Sequence, residues 1–469
     1  MAGNLTVAAP SRRRAGVTAS AQAVLLGLVV AATDLLPAGI RYGRLRSLTR
    51  RLARTPMPVV TGPGPCSDSR PAPATIAPSG PRVTLVTGRL DVGGLENVVR
   101  MLAEGLGTQG LVTSVLCSGG GATFDALAGA GIDLSVATTL DDATAQLNRF
   151  RPDVVEIHNP PQHLMDAVLR YGAPWVGVIH NPEIHRGRDD WARIGRASAA
   201  RWIAVSENAR DFHVAHVPPG SPADVVVVPN ASPTAPWARD DHTRREERRA
   251  LAEATGWALS EDLVVVVSLA RYDPQKNIAG LVACFAEAGR ARPALRLVVA
   301  GPPADRLEVA WADAIRRASP DPDAVALLGS SSSASLLAAA DAFVLDSYFE
   351  GGPIVAIEAA RAGLPVVLSD VGIARELLRD GTRGTLVPNP ATGDTIDEKS
   401  VRRARRHVRS QRNAGALRDA LVDVADHVAE WRDRRSSLAE SAAELFTLEA
   451  MISGHTYWLK DAVRRDNRS

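Results

Sequence analysis

FEGGPIVAIE, at residues 349–358, places one glutamate in a glycine turn and a second glutamate eight positions later. The apolar run 342–345 before it predicts a buried strand, while Pro353 suits the first turn of a helix and Gly363 suits its end. Residues 365–368 then predict the next strand. A strand, a glycine turn, a helix and a strand form a parallel βαβ unit, whose ligands bind at the carboxyl edge of the strands. This stretch therefore predicts an α/β fold with a ligand site at the turn.

The two glutamates occupy different places in that unit. Glu350 stands beside the amino end of the helix, where free N–H groups favour an anion. Glu358 lies more than a turn down the helix, which separates the carboxylates by roughly 10 Å at about 1.5 Å of rise per residue. A glycosidase-type pair needs about 5–9.5 Å. We therefore expect two contacts on different parts of one long ligand.

Length and composition predict a globular protein with more than one core. A chain of 469 residues exceeds one ordinary core, so we expect two domains plus extras. The formal net charge of +2 is too small to indicate nucleic acid, and we expect no nucleic-acid partner. Cys66, Cys117 and Cys284 are far apart, which fits a reducing compartment and argues against a disulfide framework. We predict that Cys117 and Cys284 are core residues.

Residues 1–81 form an N-terminal extension with apolar and basic parts. The stretch 15–40 carries Asp34 as its only charge, with three arginines before it and six after it. It is long enough to span a bilayer, but it could equally lie in the interface with its arginines on anionic lipid, or be a poorly ordered extension. A cleaved signal peptide fits less well. We expect a cytoplasmic protein, associated with or anchored to the inner face of the cell membrane through residues 1–55, and a flexible linker over residues 56–81.

Beyond the extension, strand and helix patterns alternate. They predict one doubly wound parallel domain over residues 82–232 and a second over residues 260–440, joined by a hinge at 233–259. A helical tail follows at 441–469. The polar, basic segment 391–415 shows no core pattern, and we predict that it is an insertion or a mobile loop.

Two cations follow the first strand of the second domain. Arg271 and Lys276 stand between the strand 263–267 and a helix that begins near Ile278. Two cations and free helix N–H groups at this edge suit a diphosphate. The alternative is a pair of surface cations near acidic neighbours, which this spacing alone does not exclude.

The first domain offers a diglycine and two histidines at strand ends. Gly93 and Gly94 follow the first strand and allow close approach of a ligand to the backbone, although they match neither the dinucleotide fingerprint nor a Walker motif. His158 and His180 each end an apolar strand. A lone histidine at such a place is more often structural, but His180 is the stronger candidate because a proline-containing loop with further polar residues follows it.

Taken together, these motifs resemble the family 4 retaining glycosyltransferases of the GT-B fold. The resemblance covers residues 82 to about 390 and implies two Rossmann-like domains facing a central cleft, a nucleotide-sugar donor held mainly by the second domain, and neither a metal nor a cofactor. Its blocks are the diglycine with Glu96, the two histidine strands, and residues 205–207, 228–230, 270–277, 299–301 and 347–367.

The resemblance also implies roles for individual residues. Arg271 and Lys276 would neutralise the donor diphosphate and help the leaving group depart. Glu350 would contact the donor sugar, Glu358 the ribose hydroxyls, and His180 the sugar near the reacting carbon. Retention by front-face attack is expected, with no enzyme nucleophile. The implied catalytic residues are His180, Glu350, Arg271 and Lys276, and the implied donor-binding residues are Gly93, Gly94, Arg271, Lys276, Glu350, Gly351, Gly352, Pro353, Ile354 and Glu358.

Three positions depart from the family pattern. Leu95 stands where a small residue is common, Gly352 where an aromatic or aliphatic residue is usual, and Ile373 where a second glycine often follows Gly372. Extra flexibility at Gly352 could loosen the sugar contact. None of these departures removes a charge that the reaction needs, so we expect activity.

The leading interpretation is a retaining glycosyltransferase that uses a UDP- or GDP-sugar. We expect a saccharide or lipid-linked acceptor in envelope or capsular glycan synthesis, bound by first-domain loops near 118–125 and 181–195. One alternative is a nucleotide-sugar epimerase or a phosphorylase on the same fold, the latter with a pyridoxal cofactor on Lys276. The other is a degenerate transferase that acts as a binding or assembly protein.

Overall fold

The computed structural model describes residues 15–36, 40–41, 57–61, 80–196, 199–218, 224–232, 240–391 and 396–466. Within them the chain forms two parallel α/β sheets, as predicted. Cys117 and Cys284 are buried, again as predicted. The described residues do not include Cys66, most of the predicted linker, or residues 233–239 of the predicted hinge.

The first sheet has seven strands in the order β3-β2-β1-β4-β5-β6-β7 among the described residues. Its strands are β1 Arg82–Arg89, β2 Val112–Gly119, β3 Asp133–Val136, β4 Val154–His158, β5 Trp175–Ile179, β6 Arg201–Ala204 and β7 Val225–Val227. The helices of this part of the chain are α1 Ala15–Thr33 in the extension, then α2 Gly94–Gly105, α3 Ala122–Gly129, α4 Leu140–Phe150, α5 Gln162–Tyr171, α6 Arg188–Arg196 and α7 Glu207–His216. Strand order reverses at β1, so the loops after β1 and β4 open into one crevice.

The second sheet has six strands in the order β10-β9-β8-β11-β12-β13 among the described residues. Its strands are β8 Val264–Leu269, β9 Leu295–Ala300, β10 Val325–Leu328, β11 Ala342–Leu345, β12 Val366–Ser369 and β13 Gly384–Val387. The helices are α8 Asp241–Thr255, α9 Ile278–Ala291, α10 Arg306–Arg317, α11 Ser333–Ala339, α12 Ile354–Arg361, α13 Ala374–Leu377, α14 Glu398–Arg406, α15 Ala414–Asp426, α16 Val428–Asp433, α17 Arg435–Ala443 and α18 Leu448–Asp466. The order reverses between β8 and β11, which pair directly.

Both cores have the composition that parallel sheets require. Strands covered by helices on both faces are apolar throughout, and every residue of β5, β8 and β11 is buried. The sequence prediction missed β3, a four-residue edge strand in which two partly buried residues lie between two exposed ones. An edge strand this short has too few apolar residues for a clear pattern.

The prediction of an insertion or mobile loop over residues 391–415 was wrong for most of that segment. Residues 398–406 form α14, which starts with a capping box between Asp397 and Ser400. Val401 and Ala404 are buried on one side of it, and Arg405 is buried beside them. The apolar part is only two residues wide, and the arginine enters the interior through ion pairs, so hydrophobic periodicity gave no signal. Residues 392–395 lie outside the described residues.

The two ends of the chain pack on the opposite domains. The C-terminal helix α18 packs on the first domain, against α2, β4 and β5. The extension packs on the second domain, where α1 lies against α10 and α14. Residues 57–61 continue this attachment, since Gly329 N donates to Pro58 O at 2.7 Å and Ser332 N donates to Val60 O at 3.1 Å. The predicted tail is therefore part of the first domain's core.

Charged groups attach the extension to the second domain. Asp34 and Arg41 are both almost fully buried. The Arg41 guanidinium donates to Asp305 Oδ2 at 2.6 Å, and Arg405 Nε donates to Asp34 Oδ2 at 2.6 Å. Glu308 completes the group, accepting from Arg405 Nη2 at 2.6 Å. No helix that the structure describes, α1 included, is long and apolar enough to cross a membrane.

Candidate active site at the interdomain cleft

The loops after β8 and β11 bring Lys276 and Glu350 together. The Lys276 ammonium forms an ion pair with the Glu350 carboxylate, and the two side chains are 13% and 5% exposed. Ser347 Oγ donates to Glu350 Oε1 at 2.6 Å, and Gln275 Nε2 donates to Glu350 Oε2 at 3.2 Å. Glu350 is therefore held by three donors. Ser347 and Gln275 were missed from the sequence because neither residue type signals a role without its neighbour.

Arg271 lies at the same edge but remains accessible. Its side chain is 46% exposed, and its guanidinium lies 3.2 Å from Asp273 Oδ2. Asp273 also accepts from Gln275 N at 3.0 Å and so caps the short turn that carries Lys276. This half-exposed cation beside a fixed turn is available to an anionic ligand that approaches from the cleft.

A buried amide network supports this loop from below. Asn277 has a positive φ of 48°, an uncommon backbone conformation for a residue other than glycine. Its side chain donates to Asp346 Oδ2 at 2.8 Å, and Asn413 Nδ2 donates to Asp346 Oδ1 at 2.6 Å. Burial raises the pKa of Asp346 to about 7, although the Asn413 and Asn277 amides lower it in part. The network links the β8 loop to the β11 loop, and no sequence pattern points to the role of Asn413.

Glu358 lies inside α12, as predicted, and its carboxylate is unlike that of Glu350. The side chain is buried, and no described residue donates a hydrogen bond to its carboxylate. Burial raises the pKa of Glu358 to about 7. A buried carboxylate without a donor is costly unless a partner satisfies it. This environment suits a group that accepts hydrogen bonds from bound hydroxyls.

His180 ends a chain of buried polar groups in the first domain. His158 Nδ1 and His180 Nε2 are 2.9 Å apart, so one of these nitrogens donates to the other. On the far side, His158 Nε2 lies 3.6 Å from Glu156 Oε2, and His455 Nδ1 donates to Glu156 Oε1 at 2.6 Å. Burial, and then the neighbouring His158, lower the pKa of His180 well below its usual range. His180 is therefore a neutral hydrogen-bonding group.

Glu156 was missed from the sequence although a signal was present. Burial alone would raise the pKa of this carboxyl, but His455 and His158 lower it well below its usual range. A buried glutamate between the apolar residues Val155 and Ile157 of β4 must have a buried partner. That partner, His455, comes from α18 and could not be identified from local spacing.

The two domains meet at the glycine turn. A Cβ on Gly351 would collide with the carbonyl oxygen of His180. Asn230 Nδ2 donates to Gly352 O at 3.0 Å, and a Cβ on Gly352 would lie 2.9 Å from that nitrogen. The Asn230 side chain thus occupies the space that a larger residue would take, which is the physical reason for the departure at Gly352.

The diglycine lies at the amino end of α2. Gly93 caps this helix, and a Cβ there would collide with the Glu96 carboxylate. A Cβ on Gly94 would meet no atom within 4 Å. Pro353 caps α12 and Ile354 begins it. The structure therefore brings Lys276 to Glu350 and Gly351 to His180. It gives Arg271, Gly94 and Glu358 no direct contact with them, and the roles of all these residues stay predictions.

Two family models match the chain in tandem. The Glycosyltransferase Family 4 model matches residues 92–235, and the model for glycosyl transferases group 1 matches residues 253–401. The chain belongs to the family 4 glycosyltransferases. The second match covers the whole of the second sheet, and the first covers every strand of the first sheet except β1.

Several known proteins are similar to this family 4 glycosyltransferase. D-inositol 3-phosphate glycosyltransferase of Actinosynnema mirum is 31% identical over 220 residues, which cover 44% of this chain and 49% of that protein. Glycogen synthase of Mycobacterium tuberculosis is 27% identical over 294 residues, or 59% of this chain and 66% of that protein. The chain thus spans about half the length of the first of these relatives.

A solved structure confirms the fold. HepE of Anabaena in complex with UDP-glucose matches with a TM-score of 0.67 and 17% identity, over 81% of this chain and 100% of that one. At this identity the likeness establishes the architecture of two Rossmann-like domains facing a cleft, the GT-B fold.

Proposed function

We propose that this protein is a retaining, metal-independent glycosyltransferase that moves a sugar from a nucleotide diphosphate sugar to a saccharide or lipid-linked acceptor. The observation that carries the proposal is the meeting of the β8 and β11 loops, which sets Lys276 and Glu350 in contact where the strand order reverses. Ligands of open α/β sheets bind at this point. A relative structure that holds UDP-glucose favours a UDP-sugar over a GDP-sugar.

In the proposed complex, the donor lies along this edge of the second sheet. Arg271 and Lys276 bind the diphosphate and stabilise the charge that develops as it leaves. Glu350, held by Lys276, Ser347 and Gln275, accepts hydrogen bonds from the sugar. Glu358 accepts hydrogen bonds from the ribose hydroxyls.

On the opposite wall of the cleft, His180 contacts the sugar. Because its imidazole is neutral, it orients a hydroxyl by hydrogen bonding and adds no charge to the site. In front-face attack the leaving phosphate accepts the acceptor's proton, so the site needs no enzyme nucleophile. Gly94 leaves open space through which the first domain approaches the phosphates.

Turnover of labelled sugar nucleotides tests the proposal. Purified protein is incubated with UDP- and GDP-sugars, and release of free sugar, transfer to added saccharides and epimerised donor are measured separately. Slow hydrolysis or transfer with retained anomeric configuration is expected. Epimerised donor without hydrolysis would favour an epimerase instead. Donor binding with no turnover would favour a binding protein that has lost catalysis.

We also propose that the protein works at the cytoplasmic face of the cell membrane, in envelope or capsular glycan synthesis. The support is the apolar and basic extension, residues 1–55, whose described part docks on the donor-binding domain. A reporter fused to residues 1–80 that stays away from membranes would contradict this assignment.

A further inference from the structure

The helix of the extension is apolar on two sides. Ala23 and Val30 are buried where α1 packs on the second domain. On the other side Val24, Leu25 and Leu28 are 61–65% exposed, and so is Leu35 in the turn that follows α1. Within α1, Leu28 is four positions from Val24 and three from Leu25, so these three side chains share one exposed face and form a stripe. A helix that is apolar all round needs apolar surroundings on each side. The described residues cover one side of α1 and leave the other exposed.

A row of arginines lies in and just after α14, the helix that packs against α1. Arg403, Arg406, Arg409 and Arg412 are exposed, three positions apart, and form no ion pair with any residue that the structure describes. Their neighbours behave differently, because Arg402 pairs with Glu398 and Arg405 enters the buried charge cluster. Of these four arginines, Arg406 and Arg409 line the same groove as α1 and give it positive charge.

A groove of about 630 Å³ joins the two features. One wall consists of α1 and the turn that follows it, with Leu28 and Leu35 among the lining residues, and the other contains Arg406 and Arg409. Trp311 of α10 also lines it. Apolar side chains on one wall and cations on the other match an amphiphile that has an anionic head group.

We propose that the exposed stripe of α1 and the arginine row together bind the surface of an anionic phospholipid bilayer. The leucine side chains enter the boundary between head groups and acyl chains, while the guanidinium groups bind lipid phosphates. Charge on both flanks of α1 favours a bilayer over a protein partner, because the sequence carries Arg12–Arg14 before the helix and further arginines at 44, 46, 50, 51 and 54 after it.

This surface lies close to the cleft. Glu398 at the start of α14 is 3.6 Å from His185 Nδ1, which belongs to the loop after β5 on the opposite wall. Arg406 at the end of the same helix lines the groove. A helix of nine residues is about 13 Å long at 1.5 Å per residue. In this last step the inference rests on the proposed function, since it places a lipid-linked acceptor within reach of the donor.

Vesicle flotation of the full chain tests the lipid surface. Wild-type protein is mixed with vesicles of phosphatidylcholine alone or with 30 mol% phosphatidylglycerol, at low and high salt. Leu25→Glu combined with Leu28→Glu removes the apolar contact, and Arg406→Glu with Arg409→Glu removes the phosphate contacts. Arg245→Glu with Arg249→Glu is the matched control, because these two exposed arginines on α8 form no ion pair with any described residue and lie elsewhere.

The wild type and the α8 control should float with anionic vesicles and lose binding as salt rises. Both surface variants should bind at least tenfold less. Equal binding to neutral vesicles, no binding by the wild type, or an equal loss in the control would overturn the proposal. The proposal would also be overturned if the wild type were a dimer, the leucine variant a monomer, and the flotation of the two proteins the same. The melting shift on adding UDP is measured in the same samples. A floating protein without that shift would count against the proposed function alone.

Discussion

His455 Nδ1 lies 2.6 Å from Glu156 Oε1, although 299 positions separate these two residues in the chain. Through this contact the C-terminal helix α18 completes the buried series that runs from Glu156 to His158 and ends at His180 in the cleft. The last helix of the chain is thus part of the support for a candidate catalytic group in the first domain.

Replacing His455 should destabilise the fold. His455→Ala leaves a fully buried carboxylate without its closest donor, and breaking such a pair costs about 3–5 kcal/mol. Since the pKa of Glu156 is lowered on folding, its carboxylate contributes stability above its unfolded pKa of about 4.3, and this contribution declines as the pH falls below that value. Urea unfolding should therefore show that the difference in the free energy of unfolding between wild type and His455→Ala is smaller at pH 3.5 than at pH 7. Tyr457→Ala, at a 55% exposed position on the same helix, is the control and should change little.

Substitutions of Arg271 and Lys276 should differ in their effects on nucleotide binding and on the stability of the free protein. Arg271→Ala removes a half-exposed side chain, so the melting temperature of the free protein should not change, while most of the shift caused by UDP disappears. Lys276→Ala should lower both the melting temperature of the free protein and the shift caused by UDP. The free protein is destabilised because Glu350 loses an ion-pair partner, at a cost of about 1–3 kcal/mol. Either variant should reduce turnover by about 10²–10³-fold. An unchanged UDP shift in Arg271→Ala would remove this residue from the diphosphate site.

Glu358 should make stability depend on pH in the opposite direction. Its folded pKa of about 7 lies above the unfolded value of about 4.3, so the folded state binds the proton more tightly and stability falls as the pH rises from 4.3 through 7. Glu358→Gln removes this dependence. The variant should be more stable than wild type by about 3 kcal/mol at pH 8 and similar to it at pH 4. Chemical denaturation at both values checks the difference.

The same variant tests ribose recognition. If the buried Glu358 carboxylate accepts from the ribose hydroxyls, wild type should bind UDP much more tightly than 2′,3′-dideoxyuridine diphosphate. In Glu358→Gln the ratio of the two affinities should fall, because the amide keeps one acceptor oxygen and replaces the other with a donor. Calorimetric titration with both nucleotides measures the ratio. An unaltered ratio in the variant would place the ribose elsewhere.

Two glycine substitutions should differ in what they damage. Gly351→Ala puts a methyl group onto the His180 carbonyl, so the domain contact must open at a cost of about 1–3 kcal/mol and turnover should fall steeply. Gly94→Ala fills space that no described atom occupies, so its melting temperature should match wild type. If the diphosphate approaches there, KM for the donor should rise in Gly94→Ala. Steady-state kinetics and melting curves of both variants make the comparison.

The buried charge cluster should control the attachment of the extension. Asp34→Ala removes a carboxylate that both Arg41 and Arg405 contact, so each of these buried guanidinium groups loses an acidic partner. A loss of about 3–5 kcal/mol is expected in denaturant unfolding. Asp321→Ala, at an exposed position in the same domain, should change stability by less than about 0.5 kcal/mol. Equal effects of the two changes would show that the cluster does not hold the extension in place.

Much of the fold could be predicted because its signals are local. Apolar runs of four to six residues mark most strands of the two sheets, and glycine or proline marks the turns between them. The loops that carry Arg271, Lys276 and Glu350 follow such strands directly, so their position at the sheet edge follows from the parallel topology. The contact between Lys276 and Glu350 follows in turn from the pairing of β8 with β11.

The sequence by itself therefore determined the two α/β domains, the strand-end loops of the site and the helical position of Glu358. Tertiary structure alone decided that His455 pairs with Glu156, that Arg405 is buried while Arg406 is not, and that Asn230 fills the space beside Gly352. The physical reason is that a charged or polar residue has the same local pattern whether water or a distant partner satisfies it. Only the packing of remote segments shows which of the two does so.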